Sequence, residues 1–143
     1  MECSEEETLI KLAELLTRAS WRLRKHERKE LVPFGLTFAQ ARALRALVDG
    51  GPMRIGDLAG LLEIVPRSAT SRVDDLEAAG LVTRHMDPDD RRSVIVVATK
   101  EGRDLVARLA ADRRVGAETL FAPLSTEERS SLLGLLDSIT EEA

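Results

Sequence analysis

The chain has 143 residues, 43% hydrophobic and 32% charged, a balance that supplies a globular core and excludes a disordered chain. Its net charge of −4 argues against a uniformly basic nucleic-acid surface, and the aromatics are only Trp21, Phe34, Phe38 and Phe121, too few for a platform that stacks single-stranded bases. The single cysteine, Cys3, excludes an internal disulfide, and no apolar run approaches the ~18 residues that span a bilayer.

The acidic start (Glu2, Glu5, Glu6, Glu7) is the opposite of a secretory leader, so a cytoplasmic location is expected. No internal repeat or linker interrupts the chain. A first helix is predicted over about residues 6–30, because Leu9, Leu12, Leu15, Leu16, Ala19 and Leu23 repeat at helical spacing. Its basic end (Arg18, Arg22, Arg24, Lys25, Arg28, Lys29) suits the negative pole of the helix dipole. Residues 31–35, with Pro33 and Gly35, break it.

A second helix starts at Thr37, where Thr37 and Gln40 form a capping box. Ala41, Leu44, Leu47 and Val48 face inward, and Gly50, Gly51 and Pro52 end the helix. Residues 53–55 are a candidate short strand. A third helix covers about residues 55–62, residues 63–65 are a turn, and a fourth helix runs over about residues 66–79. Pro66 fits its first position, where a missing N–H costs nothing, and Gly80 fits a left-handed close.

Residues 81–85 and the β-branched run 93–98 predict a hairpin with a tip at residues 86–90. Thr99 caps a fifth helix over about residues 100–121, with Leu105, Val106 and Leu109 on one face. Ser125 and Glu128 form a second capping box and open a sixth helix. The fold class is therefore mainly α with a small β wing (α+β), six helices and one hairpin.

Two short helices, a tight turn and a following hairpin are the parts of a winged helix-turn-helix. A helix of ordinary diameter fits the major groove of B-DNA, the preceding helix braces it, and the hairpin reaches the neighbouring minor groove. On the fourth helix Ala69, Val73 and Leu76 should face the core. Arg67 and Ser71 point the other way, with Ser68 and Thr70 on the flanks. Arg67 can donate two bonds to guanine, and small hydroxyls allow close approach. Arg72 suits either a phosphate or an intramolecular carboxylate. Asp74, Asp75 and Glu77 sit where the helix should leave the groove. Arg54, Arg84, Arg91 and Arg92 complete the expected DNA-contacting set, with Arg91 or Arg92 reaching the minor groove. The carboxylates of the tip can hold an arginine in place by a paired contact.

Three stretches from residue 54 to 102 carry a family resemblance. They are Ile55-Gly-Asp-Leu-Ala59, Val73-Asp-Asp-Leu-Glu-Ala-Ala-Gly-Leu-Val82, and Asp90-Arg-Arg-Ser-Val-Ile-Val-Val-Ala-Thr99 followed by Lys-Glu-Gly102. In these the chain resembles the MarR family of bacterial regulators. In the family's wing pattern Asp90 and Arg92 occupy the matched positions, which gives Asp90 a wing-stabilising role. Glu63 stands where Gly is usual, Val65 where a polar cap is usual, and Ala98 where Leu is common.

The resemblance implies a single domain over residues 1–143. It has a DNA-binding lobe at about residues 37–99 and a helical dimerisation lobe at about 5–32 and 100–143. The implied function is that of a ligand-responsive repressor binding a palindromic operator as a homodimer. Excess Leu and Ile on the terminal helices supports the dimer independently. A small aromatic or phenolic ligand is a possible partner, and Leu15, Trp21, Phe34 and Phe38 are its candidate contacts; plain core packing is the competing assignment.

Cys3 lies beside acidic residues that oppose thiolate formation and lacks a second cysteine, so redox sensing is not expected. His26 and His85 have no ligand-spaced neighbour, so neither metal nor cofactor is expected. No phosphate loop or nucleophile elbow is present, so the chain is not expected to be an enzyme. The rival function is a winged-helix module that binds protein through an acidic surface.

Overall fold

The computed structural model describes residues 4–141, so Cys3 lies outside the described residues. The elements are α1 (Glu5–Leu31), a 3-10 turn (Val32–Phe34), α2 (Phe38–Gly50), β1 (Met53–Arg54), α3 (Ile55–Leu62), α4 (Pro66–Ala78), β2 (Val82–Met86), β3 (Val94–Ala98), α5 (Lys100–Phe121) and α6 (Thr126–Thr140). The chain divides into two compact units: residues 26–112, and residues 4–25 with 113–141.

Local chemistry sets most boundaries. The Thr37 hydroxyl accepts from Gln40 N–H (3.2 Å) while the Gln40 amide oxygen accepts from Thr37 N–H (2.8 Å). Ser125 and Glu128 repeat this at α6, and Ser4 and Glu7 do so at the start of α1. Each box satisfies two backbone groups that a helix start leaves orphaned. α3 and α4 both close by paired bonds back into the last turn. Ile64 N–H reaches Ala59 O and Glu63 N–H reaches Gly60 O; Leu81 N–H reaches Leu76 O and Gly80 N–H reaches Glu77 O. This closure needs one residue in the left-handed region. Gly80 takes it at φ +77° without cost, whereas at α3 the position is held by Glu63 at φ +55°.

In the unit of residues 26–112, β1 adds a third strand to the expected hairpin. The sheet order is β1-β3-β2, all antiparallel, with Arg54 opposite Ile95 and His85 opposite Ile95 on the other side. Ile55 leaves the strand and opens α3. The core combines Leu44 and Leu47 of α2, Leu58 and Leu62 of α3, Val73 and Leu76 of α4, and Leu81, Val82 and Val96 of the sheet. Leu31 from α1 and Leu105, Val106 and Leu109 from α5 are buried in the same cluster, which is why this unit reaches past the wing at both ends. Ala69, Val73 and Leu76 are the buried face of α4, the three that helical spacing places together.

In the other unit, Gly116 is the only fully buried residue among those described. A Cβ there would lie 3.1 Å from Leu23 O, so α1 and α5 touch backbone to side at that glycine. Leu9, Leu12, Leu15, Leu16, Leu133, Leu135 and Ile139 are exposed. Among the described residues no helix is long and apolar enough to cross a membrane.

Candidate nucleic-acid interface

α4 presents one polar face. Arg67, Thr70 and Ser71 are exposed, while Ser68 and Arg72 are half-buried on the flank. Thr70 Oγ1 donates to Pro66 O (3.0 Å), so its hydroxyl proton is used along the helix and its lone pairs stay available. Arg72 Nη1 is buried and has no hydrogen-bond partner. No side chain caps α4; Val65 O accepts from Ser68 and Ala69 N–H, and the Val65 side chain is exposed. The helix start therefore offers apolar surface where a hydroxyl would otherwise stand.

The acidic residues at the C-terminal half of α4 are engaged from two sides. Arg84 of β2 donates to Asp74 and, at 2.7 Å, to Glu77. Gln40 of α2 donates its amide N–H to Asp75 (2.7 Å). Arg84 is thus placed between two carboxylates of α4, and the hydrogen bond to Asp74 raises its pKa above the ordinary arginine value. Its guanidinium is engaged by carboxylates within the lobe.

Arg54, also expected at DNA, pairs with a carboxylate of the wing loop. Its Nε and Nη2 donate to Asp87 Oδ2 at 3.2 and 2.6 Å. Asp87 is buried, and Asp89 N–H donates to its other oxygen (2.9 Å). The Asp89 N–H and then the Arg54 guanidinium hold the Asp87 carboxyl below the usual aspartate range.

The wing tip is folded by its own carboxylates. Asp87 N–H donates to Ser93 O and Ser93 N–H to Asp90 O, both at 3.0 Å. Asp90 Oδ1 accepts Arg92 N–H (3.0 Å) and Oδ2 accepts the Ser93 hydroxyl (3.1 Å). Side chains that bond backbone two or three residues on make compact turns. With Asp87 and Asp90 occupied in this way, Arg91 and Arg92 project into solvent. Among the described residues neither they nor Arg67 form an ion pair.

The candidate ligand contacts belong to both units. Leu15 and Trp21 are exposed on α1 in one unit. Phe34 and Phe38 are half-buried against the core of the other, with the Arg28 guanidinium 5.7 Å from the Phe38 ring centre. His85 Nε2 lies 2.9 Å from Thr83 Oγ1. No group of three metal-ligating side chains occurs among the described residues.

Sequence reasoning missed Asp87 as the partner of Arg54, and Asp74 and Glu77 as partners of Arg84. The only available signal was the Asp-Pro-Asp-Asp run, which marks a turn but not which arginine it holds.

Comparison with known proteins shows the family and the fold. Residues 34–93 match the family model described as MarR family. The uncharacterised HTH-type transcriptional regulator YhbI of Bacillus subtilis is 30% identical, with 98% of this chain and 94% of YhbI covered. The crystal structure of RV1404 from Mycobacterium tuberculosis aligns with a TM-score of 0.76 at 28% identity, covering 100% of this chain and 97% of that one. BpsR of Bordetella bronchiseptica, whose DNA binding is regulated by 6-hydroxynicotinic acid, aligns with a TM-score of 0.68 at 28% identity over 92% of this chain and 94% of its own. This chain belongs to the MarR family of winged helix-turn-helix proteins and is a DNA-binding regulator of transcription.

Proposed function

We propose that the protein is a ligand-responsive repressor that binds a palindromic operator as a homodimer in the cytoplasm. The observation that carries the operator reading is the state of the charges. Carboxylates hold Arg54 and Arg84, while Arg67 on α4 and Arg91 and Arg92 on the wing stay exposed without an ion pair. Arg67 then reads a base edge in the major groove, with Thr70 and Ser71 close to it. Arg92 or Arg91 enters the minor groove, where narrow A·T-rich tracts concentrate negative potential.

The homodimer is supported by the apolar side chains left exposed on α1 and α6. Clustered apolar surface on a helix pair is the kind that marks a protein–protein interface. A two-fold dimer presents two identical reading helices and so favours an inverted repeat, with half-sites about one DNA turn apart. Ligand response is supported by BpsR, whose DNA binding a small aromatic acid regulates.

The test is fluorescence anisotropy of the full chain against duplex DNA from upstream of its own gene and against scrambled DNA, at two salt concentrations. Tight, salt-sensitive binding to the upstream duplex alone is expected. Its release by a member of a panel of small phenols and aromatic acids is the expected ligand result. Equal, weak binding to both duplexes, and to a library of random genomic fragments, would instead favour a winged helix directed at a protein.

A further inference from the structure

Arg54 and Asp87 lie 33 residues apart and belong to different parts of the DNA-binding lobe. Arg54 ends β1 and is the residue from which α3 starts, so its backbone is fixed to the helix-turn-helix. Asp87 is the first residue after β2 and begins the wing loop. Its side chain is 6% exposed, while that of Arg54 is 49% exposed. The aspartate is therefore the buried member, and the arginine reaches in to it.

Both carboxylate oxygens and both main-chain polar groups of Asp87 are used to shape the loop. Oδ2 takes the Arg54 fork, Oδ1 takes Asp89 N–H, the main-chain N–H goes to Ser93 O, and the main-chain O takes Asp90 N–H. Asp90 then carries the fold onward to Arg92 N–H and the Ser93 hydroxyl. Arg91 and Arg92 stand at the end of this relay. A buried carboxylate that loses its cation is left uncompensated, so removal of Arg54 disturbs the whole loop start.

We propose that Arg54 is a positioning residue for DNA binding. Through Asp87 it fastens the wing loop to the helix-turn-helix, so that Arg91 and Arg92 meet DNA at a set distance from α4, and it makes no phosphate contact of its own. The inference rests on the proposed reading of the wing as a DNA clamp.

Charge separates this role from direct contact by sign. If Arg54 touched phosphate and Asp87 were only its neighbour, removing the Asp87 charge would strengthen binding, because the lobe becomes more positive. If Asp87 is half of an anchor, Asp87→Asn weakens binding although a negative charge has gone. A phosphate-contacting arginine also contributes about one unit to the slope of log affinity against log salt, whereas a positioning arginine contributes none.

The experiment compares the full chain with Arg54→Gln, Asp87→Asn and the double variant, by anisotropy on the upstream duplex over a salt series. Thermal melts confirm that each variant folds. Both single variants are expected to bind about tenfold more weakly, and the double variant no more weakly than either, as residues acting through one contact are not additive. The salt slope is expected to stay unchanged. Asp87→Asn binding as tightly as the parent, or Arg54→Gln alone lowering the slope by about one per protomer, overturns the proposal.

Amide exchange in free protein is the second measurement. Faster exchange at Asp89, Arg92 and Ser93 in both single variants is expected, and unchanged exchange overturns the anchor. Parent protein indifferent to DNA sequence overturns the clamp reading and the role of Arg54 in binding. The exchange result distinguishes that failure from a failure of the anchor itself.

Discussion

A Cβ on Gly102 would lie 2.2 Å from the carbonyl oxygen of Leu81. That oxygen cannot retreat, because it accepts Thr99 N–H at 2.9 Å while Thr99 Oγ1 donates to Gly80 O at 2.8 Å. The first turn of α5 is thus laced to the turn that ends α4. Gly102→Ala is expected to lose about 2 kcal/mol or more of stability in urea unfolding, at the upper end of overpacking costs. Gly60→Ala, on the open face of α3 with nothing within 4 Å, is expected to gain about 0.5–1 kcal/mol from helix propensity. Gly102→Ala no less stable than the parent would contradict the close approach.

Glu63 holds a left-handed conformation that costs an L-residue about 1–2 kcal/mol, partly offset in glycine by chain entropy. Glu63→Gly is expected to raise stability by up to about 1 kcal/mol, read as a higher melting temperature. A fall would mean that the Glu63 side chain makes a stabilising contact in solution.

The depressed Asp87 pKa sets a pH window. Its contribution to stability is complete above the unfolded-state value of about 4. It is lost as pH falls through the lower folded-state value. The stability difference between the parent and Asp87→Asn should therefore be constant at neutral pH and shrink on acidification below about pH 4. A difference that grows as pH falls would have the wrong sign for a stabilised carboxylate.

Arg67→Ala is expected to cost about 1–3 kcal/mol of binding at one base position and to relax preference there. Arg92→Ala is expected to weaken binding to all sequences alike and to lower the salt slope by about one per protomer. Competition with single-base operator variants separates the two. Unchanged preference in Arg67→Ala would move the reading face elsewhere on α4.

Leu135→Glu with Ile139→Glu is expected to shift the protein toward monomer in light scattering. Both side chains are exposed on α6, and a charge in the apolar centre of an interface is poorly tolerated. The double variant should lose affinity for an inverted repeat much more than for a single half-site. A dimer of undiminished strength would exclude that face from the interface.

What could be read in the sequence was what depends on neighbours a few residues away. The boxes at Thr37 and Ser125, Pro66 at the start of α4, Gly80 at its end and the inward face of α4 all follow from local geometry and helical period. The partners of Arg54 and Arg84 do not. Both depend on the register that sets Arg54 opposite Ile95 and Arg84 opposite Val96, and no spacing rule yields a three-strand register. As sequence letters the two arginines resemble Arg67 and Arg92. The difference arises only when folding brings Asp87, Asp74 and Glu77 beside them.

The internal pairing of Arg54 and Arg84, together with the net charge of −4, bears on how the regulator is shared out in a cell. Indiscriminate attraction to DNA grows with the number of phosphates neutralised. Two arginines engaged by the protein's own carboxylates would add little to that attraction. Under the proposed function the genome at large would be a poor sink for it, and its occupancy would follow the number and quality of operators more than the total DNA present.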